Sequence, residues 1–214
     1  MGLLVSGDVL RRKAVFAARV GWIILPVILG GMIHILALKS QLMRRLAVPL
    51  DRGKQWRGRP ILGSNKTWRG VLLMTASTAG FTHLQFALGR HKPGPVLGVL
   101  RDIRVSPWLA GGVMGLSYCL AELPNSFLKR QLGVPPGGRS VRAGFFQYLV
   151  DQVDSVIGCL VALRLLYRPR RGETFLAFFL GSSIHVGVDQ LLYAAGVKQS
   201  PERRCDSEDA GLGL

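Results

Sequence analysis

Acidic residues are scarce in this chain: 12 Asp and Glu stand against 28 Lys and Arg in 214 residues, a formal charge of +16. Cysteine is scarcer, with three residues at positions 119, 159 and 205. They form no C-x-x-C pair, so neither a zinc site nor a dithiol redox motif is supported. No recognised nucleic-acid-binding module accompanies the positive charge, which therefore points to anionic headgroups and phosphorylated substrates, not to nucleic acid. The Gly-x4-Gly-Lys-Ser/Thr spacing of a P-loop is missing, as are a G-x-S-x-G elbow and any Ser-His-Asp array. No small-residue cleavage site is evident near the N-terminus. Residues 1–20, with Arg11, Arg12, Lys13 and Arg19 among apolar positions, are expected to form an interfacial helix or a lead-in.

Long apolar runs are plentiful. Hydrophobic residues make up 49% of the chain, the mean hydropathy is +0.29, and the cations cluster between the apolar runs. That pattern predicts an all-α, polytopic integral membrane helical bundle with about five transmembrane helices. The expected spans are Trp22–Leu38, Val71–Leu88, Pro107–Leu123, Phe145–Tyr167 and Glu173–Ala195, within a single domain over 1–198. A disordered tail is expected over 199–214. Pro124 is read as the end of the third span, opening a loop over 124–144. Loops 39–69 and 124–144 and the tail together hold 16 Lys/Arg, against 12 in the remaining connections and the N-terminal stretch. The positive-inside rule then puts the N-terminus outside and the C-terminus in the cytoplasm of a cell membrane, with both long loops on the cytoplasmic side.

Three stretches carry residues suited to phosphate chemistry. Gly63-Ser-Asn-Lys-Thr-Trp-Arg-Gly70 leads straight into the second span. Asn65 and Thr67 lie where free N–H groups and the helix dipole favour anions, and Lys66 and Arg69 add charge. Trp and cations also suit a membrane-interface anchor, so both readings stand for this stretch. Ser126-Phe-Leu-Lys-Arg130 follows Glu122, and its Lys129 and Arg130 also fit a positive-inside flank. Asp151-Gln-Val-Asp154 then places two carboxylates three residues apart on one helix face, about 9–14 Å along it. Acids inside a membrane helix seldom persist without a partner. Metal coordination is one role for the pair, since Mg²⁺ favours a few carboxylates plus substrate phosphates. Pairing with a neighbouring helix, through Arg69 or His185, is the other. His34, His83 and His185 are read as helix-packing residues.

Together these three stretches resemble the CDP-archaeol synthase family and, more distantly, the phosphatidate cytidylyltransferases, whose hallmark joins a Ser-x-x-Lys-Arg run to a downstream Asp-x-x-Asp. The resemblance covers about residues 20–198. Two positions depart from the family pattern: Glu122 stands where the family has Asp, and Gln131 where a further basic residue is usual. The resemblance implies an enzyme that joins CTP to a lipid phosphate, of phosphatidate or archaeal ether type, giving CDP-lipid and pyrophosphate with Mg²⁺. It implies metal ligation by Asp151 and Asp154, with Glu122 on the same ion. Lys129, Arg130, Lys66 and Arg69 would hold phosphates, and Asn65, Thr67 and Ser126 would contact substrate. The competing expectation is a non-catalytic membrane protein that binds or conducts anionic ligands, its Asp pair serving packing or an ion pathway.

Overall fold

The computed structural model describes residues 2–40, 43–92, 94–103, 105–136, 138, 144–167 and 169–196. The expected tail at 199–214 lies outside them. Five helices run in chain order: α1 (Gly2–Lys39), α2 (Trp68–His91), α3 (Pro107–Gln131), α4 (Gly144–Leu166) and α5 (Arg171–Ala194). Three of them, α1, α2 and α5, contain stretches long and apolar enough to cross a membrane. The other two carry Glu122, Lys129, Arg130, Asp151 and Asp154. The fold is an all-α membrane bundle.

Two boundaries differ from the sequence expectation. The N-terminal stretch and the first span are one 38-residue helix that runs through Pro26. More consequentially, α3 does not stop at Pro124 but continues to Gln131. Proline removes one helical N–H and crowds the preceding turn. Here its ring lies on an exposed face, beside the exposed Leu120, Phe127 and Leu128. Glu122, Asn125, Ser126, Lys129 and Arg130 therefore ride on one rigid helix. Ser126 and Arg130, four residues apart, turn inward and are buried.

Small residues bring the helices together. A Cβ on Gly111 would meet Thr82 Oγ1 at 2.5 Å and Ala79 Cα at 2.6 Å, and one on Gly115 would meet Met74 O at 2.7 Å, so α3 lies directly on the α2 backbone. Gly158 does the same for α4: its Cβ would sit 2.4 Å from Ser117 O. That close approach places Asp151 and Asp154 opposite the last turns of α3. The apolar core, with Ile23, Val99, Met114, Ala162 and Leu163, lies towards the other end. There Arg19 ties three elements together, donating to Glu173 Oε1 (3.2 Å), Pro95 O (3.1 Å) and Tyr167 Oη (3.3 Å).

The connection from α1 to α2 is folded, although the sequence reads as a polar loop. A 3-10 turn at Arg44–Leu46 precedes a two-stranded antiparallel ribbon, β1 (Gln55–Trp56) and β2 (Arg59–Pro60). Its base is closed by Leu50 N–H to Lys66 O (2.8 Å) and Trp68 N–H to Val48 O (3.0 Å).

Candidate active site

The Asp pair meets α3 across the Gly158 contact. The Asn125 amide donates to Asp151 Oδ1 at 2.6 Å and to Asp154 Oδ2 at 2.8 Å, bridging the two carboxylates. The Lys129 ammonium donates to the same Asp151 oxygen at 2.7 Å. Lys66 reaches across from the α1–α2 connection to pair with Glu122. Burial would lower the Lys66 pKa, but the Glu122 carboxylate beside it outweighs that and raises it, so Lys66 is a fixed cation at neutral pH.

These groups line a polar cavity of about 470 Å³, along with Ser126, Arg130, Tyr148, Gln152, His185, Asp189 and Tyr193. Arg130 is only 6% exposed, yet its Nε and one Nη have no hydrogen-bond partner among the described residues. Buried guanidinium nitrogens without hydrogen-bond partners are costly and suit an anion with paired oxygens. Against Arg130 lies Gly63, whose positive φ of 88° and missing Cβ let the loop backbone pass within contact of the Arg130 stem.

A second, apolar cavity of about 530 Å³ adjoins the first, walled by Ile24, Ile28, Ile35, Val188 and Leu192 among others. Asn65, Lys66, Glu122, His185 and Asp189 line both. At this junction the His185 ring bridges Tyr118 Oη (2.9 Å) and Gln152 Oε1 (3.0 Å), joining α3, α4 and α5.

Asp151, Asp154, Glu122, Ser126, Lys129, Arg130, Asn65 and Lys66 thus surround one cavity. Thr67 lines only the apolar one and caps α2, accepting from Gly70 N–H at 3.2 Å. Arg69 lines neither. Glu122, expected on the same ion as the Asp pair, lines the same cavity and pairs with Lys66. No cluster of three or more His, Cys, Asp or Glu suited to a metal occurs among the described residues.

Sequence reasoning missed two residues. Asn125 was hidden by the loop reading of 124–144, whereas a continuous helix puts it four residues before Lys129 on the same face. Asp51 shapes the loop. Its Oδ1 accepts from Gly53 N–H (3.0 Å), and its Oδ2 accepts from the N–H groups of Leu62 (2.8 Å) and Gly63 (3.0 Å). Burial would raise the Asp51 pKa, but these backbone donors together hold it below the ordinary carboxylate value. An aspartate followed by Arg-Gly is the only local hint, and it reads as an ordinary turn.

The chain is similar to known proteins. A CDP-archaeol synthase of Halobacterium salinarum is 32% identical over 161 residues, covering 72% of this chain and 82% of that protein. One from Pyrococcus furiosus is 29% identical over 185 residues, covering 82% and 87%. A solved intramembrane enzyme for archaeal membrane lipids biosynthesis has the same fold, with a TM-score of 0.54 and 22% identity over 79% of this chain and 91% of its own. The CarS-like family, described as CDP-archaeol synthase, matches residues 19–201. The chain is a multi-pass membrane protein of the CDP-archaeol synthase family.

Proposed function

We propose that this protein transfers the cytidylyl group of CTP to the phosphate of an archaeal-type ether lipid, releasing pyrophosphate. The observation that carries the reading is the junction of the two cavities. The polar one suits a nucleotide and phosphates, the apolar one suits hydrocarbon chains, and Lys66 and Asn65 stand on their shared wall. The relatives' described activity supports the same reaction.

A lipid phosphate oxygen attacks the α-phosphorus of CTP. The new P–O bond forms as the bond to the β-phosphate bridging oxygen breaks, and pyrophosphate leaves. A phosphate monoester has a second pKa of about 6, so the nucleophile is already anionic and no protein base is needed. The protein positions reactants and offsets charge. Arg130, with its unpartnered nitrogens, and Lys129 hold the triphosphate. Lys66, fixed by Glu122 at the junction, holds the lipid phosphate.

Four acids (Glu122, Asp151, Asp154 and Asp189) line the polar cavity with three cations (Lys66, Lys129 and Arg130). That balance does not by itself offset a triphosphate and a lipid phosphate. A paired Asp151 and Asp154, with room for phosphate oxygens beside them, fits Mg²⁺, which takes one or two carboxylates plus phosphates. When bound there the ion supplies the missing positive charge. Asn125 keeps the two carboxylates at a fixed separation.

The site lies at the end of the bundle reached by the α1–α2 connection and the α3–α4 loop. The Lys/Arg asymmetry supports placing that end, with the C-terminus, in the cytoplasm of the cell membrane, where CTP is found. The test is purified protein incubated with CTP, Mg²⁺ and a panel of ether-linked and diacyl lipid phosphates. CDP-ether lipid and pyrophosphate in equal amounts are expected. Product from the diacyl phosphate alone would reassign the lipid, and no CDP-lipid from any member would overturn the reaction.

A further inference from the structure

The β1–β2 ribbon contributes to neither cavity, yet its sequence is unusual for its backbone. Arg52 and Gly53 lie at φ 50° and 77° in a turn closed by Lys54 N–H to Asp51 O at 2.9 Å. Arg57 and Gly58 lie at φ 51° and 75° in the two-residue loop between Trp56 and Arg59. Both turns have positive φ at both central positions, a conformation that asparagine or glycine adopts at far lower cost than arginine. Arginine occupies the first position in each. A strained conformation kept twice with the same side chain points to a use for that side chain.

The surroundings say which use. Every residue from Arg52 to Pro60 is exposed, and Trp56 is 54% exposed at the centre of the ribbon. Arg52, Lys54 and Arg57 have no partner among the described residues. The one acid of the segment, Asp51, is buried and fully engaged with backbone donors. The ribbon is docked on the last turn of α3: Arg59 donates to Gln131 O, and the Gln131 amide donates to Pro60 O at 3.1 Å. It is therefore held at the ends of membrane-crossing helices, where the headgroups lie. An exposed indole flanked by cations is the chemistry of that layer.

We propose that the β1–β2 ribbon is an anionic-lipid-binding element, with Trp56 seated among the headgroups and Arg52, Lys54 and Arg57 on their phosphates. The ribbon runs directly into Leu62 and Asn65, which line the polar cavity, so it enriches negatively charged lipid near them. This does not depend on the chemistry inside the cavities.

The experiment uses the full chain in bilayer discs of phosphatidylcholine and phosphatidylglycerol, with one or the other lipid brominated. The difference in tryptophan emission between the wild type and Trp56→Phe isolates Trp56. Stronger quenching by brominated phosphatidylglycerol than by brominated phosphatidylcholine is expected. Each cation near the surface is worth roughly fivefold in preference, and 1 M salt should remove most of it. In Arg52→Asn/Arg57→Asn the preference should collapse while the unfolding midpoint holds or rises, because asparagine suits the positive φ. Lys54→Gln, at a position without that constraint, should lower the preference on its own. Equal quenching by the two lipids in the wild type, or a preference that survives in both variants, would overturn the proposal. A Trp56 signal indifferent to either lipid but shifted by CTP would overturn it in favour of a nucleotide contact.

Discussion

Replacing Asp51 with asparagine tests whether one carboxylate outside the cavity sets the shape of the loop that carries Lys66. Asp51 accepts three backbone N–H groups, two of them, from Leu62 and Gly63, on a single oxygen. Hydrogen bonds to a charged acceptor contribute about 1.5–3 kcal/mol each. Asparagine retains one acceptor oxygen and turns an NH₂ towards donors at the other. The loss is then about 2–3 kcal/mol, since water reaches part of this loop. That predicts roughly 30- to 150-fold faster amide exchange at Leu62 and Gly63, after correction for intrinsic rates. The pH dependence has a definite sign. Folding lowers the Asp51 pKa from its ordinary 3.8. Its stabilisation is therefore complete above that value and is lost as pH falls through the lower, folded value. Wild-type exchange protection at these two amides should hold from pH 7 to about 4 and fail below it, and Asp51→Asn should be flat over the same range. Because Gly63 packs on Arg130, the KM for CTP should rise in the variant with little change in its helical content. Unaltered exchange at Leu62 and Gly63 in Asp51→Asn would refute the reasoning.

Asp151→Asn and Asp154→Asn should each lower turnover by at least ~10²-fold while the circular dichroism melt is retained, since a lost metal-ligating charge costs several kcal/mol; near wild-type rates in both would remove the metal assignment. Glu122→Gln should raise the KM for the lipid phosphate more than that for CTP, because Glu122 holds Lys66 at the junction; an effect confined to the Mg²⁺ requirement would instead put Glu122 on the ion. Gly158→Leu should force α4 off α3, where a Cβ already falls 2.4 Å from Ser117 O, and cost about 1–3 kcal/mol in thermal stability together with activity; an unchanged melting midpoint would show that the interface can yield.

Much of the bundle was legible because hydropathy over twenty residues reports a membrane helix whatever its neighbours are. The Asp pair and the cations around Lys129 were legible because charge is conspicuous in apolar surroundings. What escaped depends on which way a residue faces or on partners distant in sequence. Pro124 reads as a terminator, yet α3 continues through it, as α1 does through the buried Pro26. Asn125 gains its meaning from carboxylates 26 and 29 residues away. The β1–β2 ribbon escaped because its turns use Arg-Gly, without the Asn-Gly or Asp-Gly pair that normally marks such a hairpin. Thr67 and Arg69 were read from a motif as substrate contacts. Thr67 caps α2 and lines the apolar cavity, and Arg69 lines neither cavity.

The two cavities share a narrow polar wall but differ in the helices that enclose the rest of them. α1 supplies much of the apolar enclosure and none of the polar one, whereas the last turns of α3 and the first turns of α4 supply most of the polar one. On the proposed reaction, selection among hydrocarbon chains and handling of phosphates are thus written on separate parts of the chain. Exchanges at Ile24, Ile28 or Ile35 can alter the length or branching of the accepted chain without moving Asn125, Lys129 or the aspartates. A lineage whose membrane lipids change has a route to follow them, helix by helix, with the transfer chemistry left as it was.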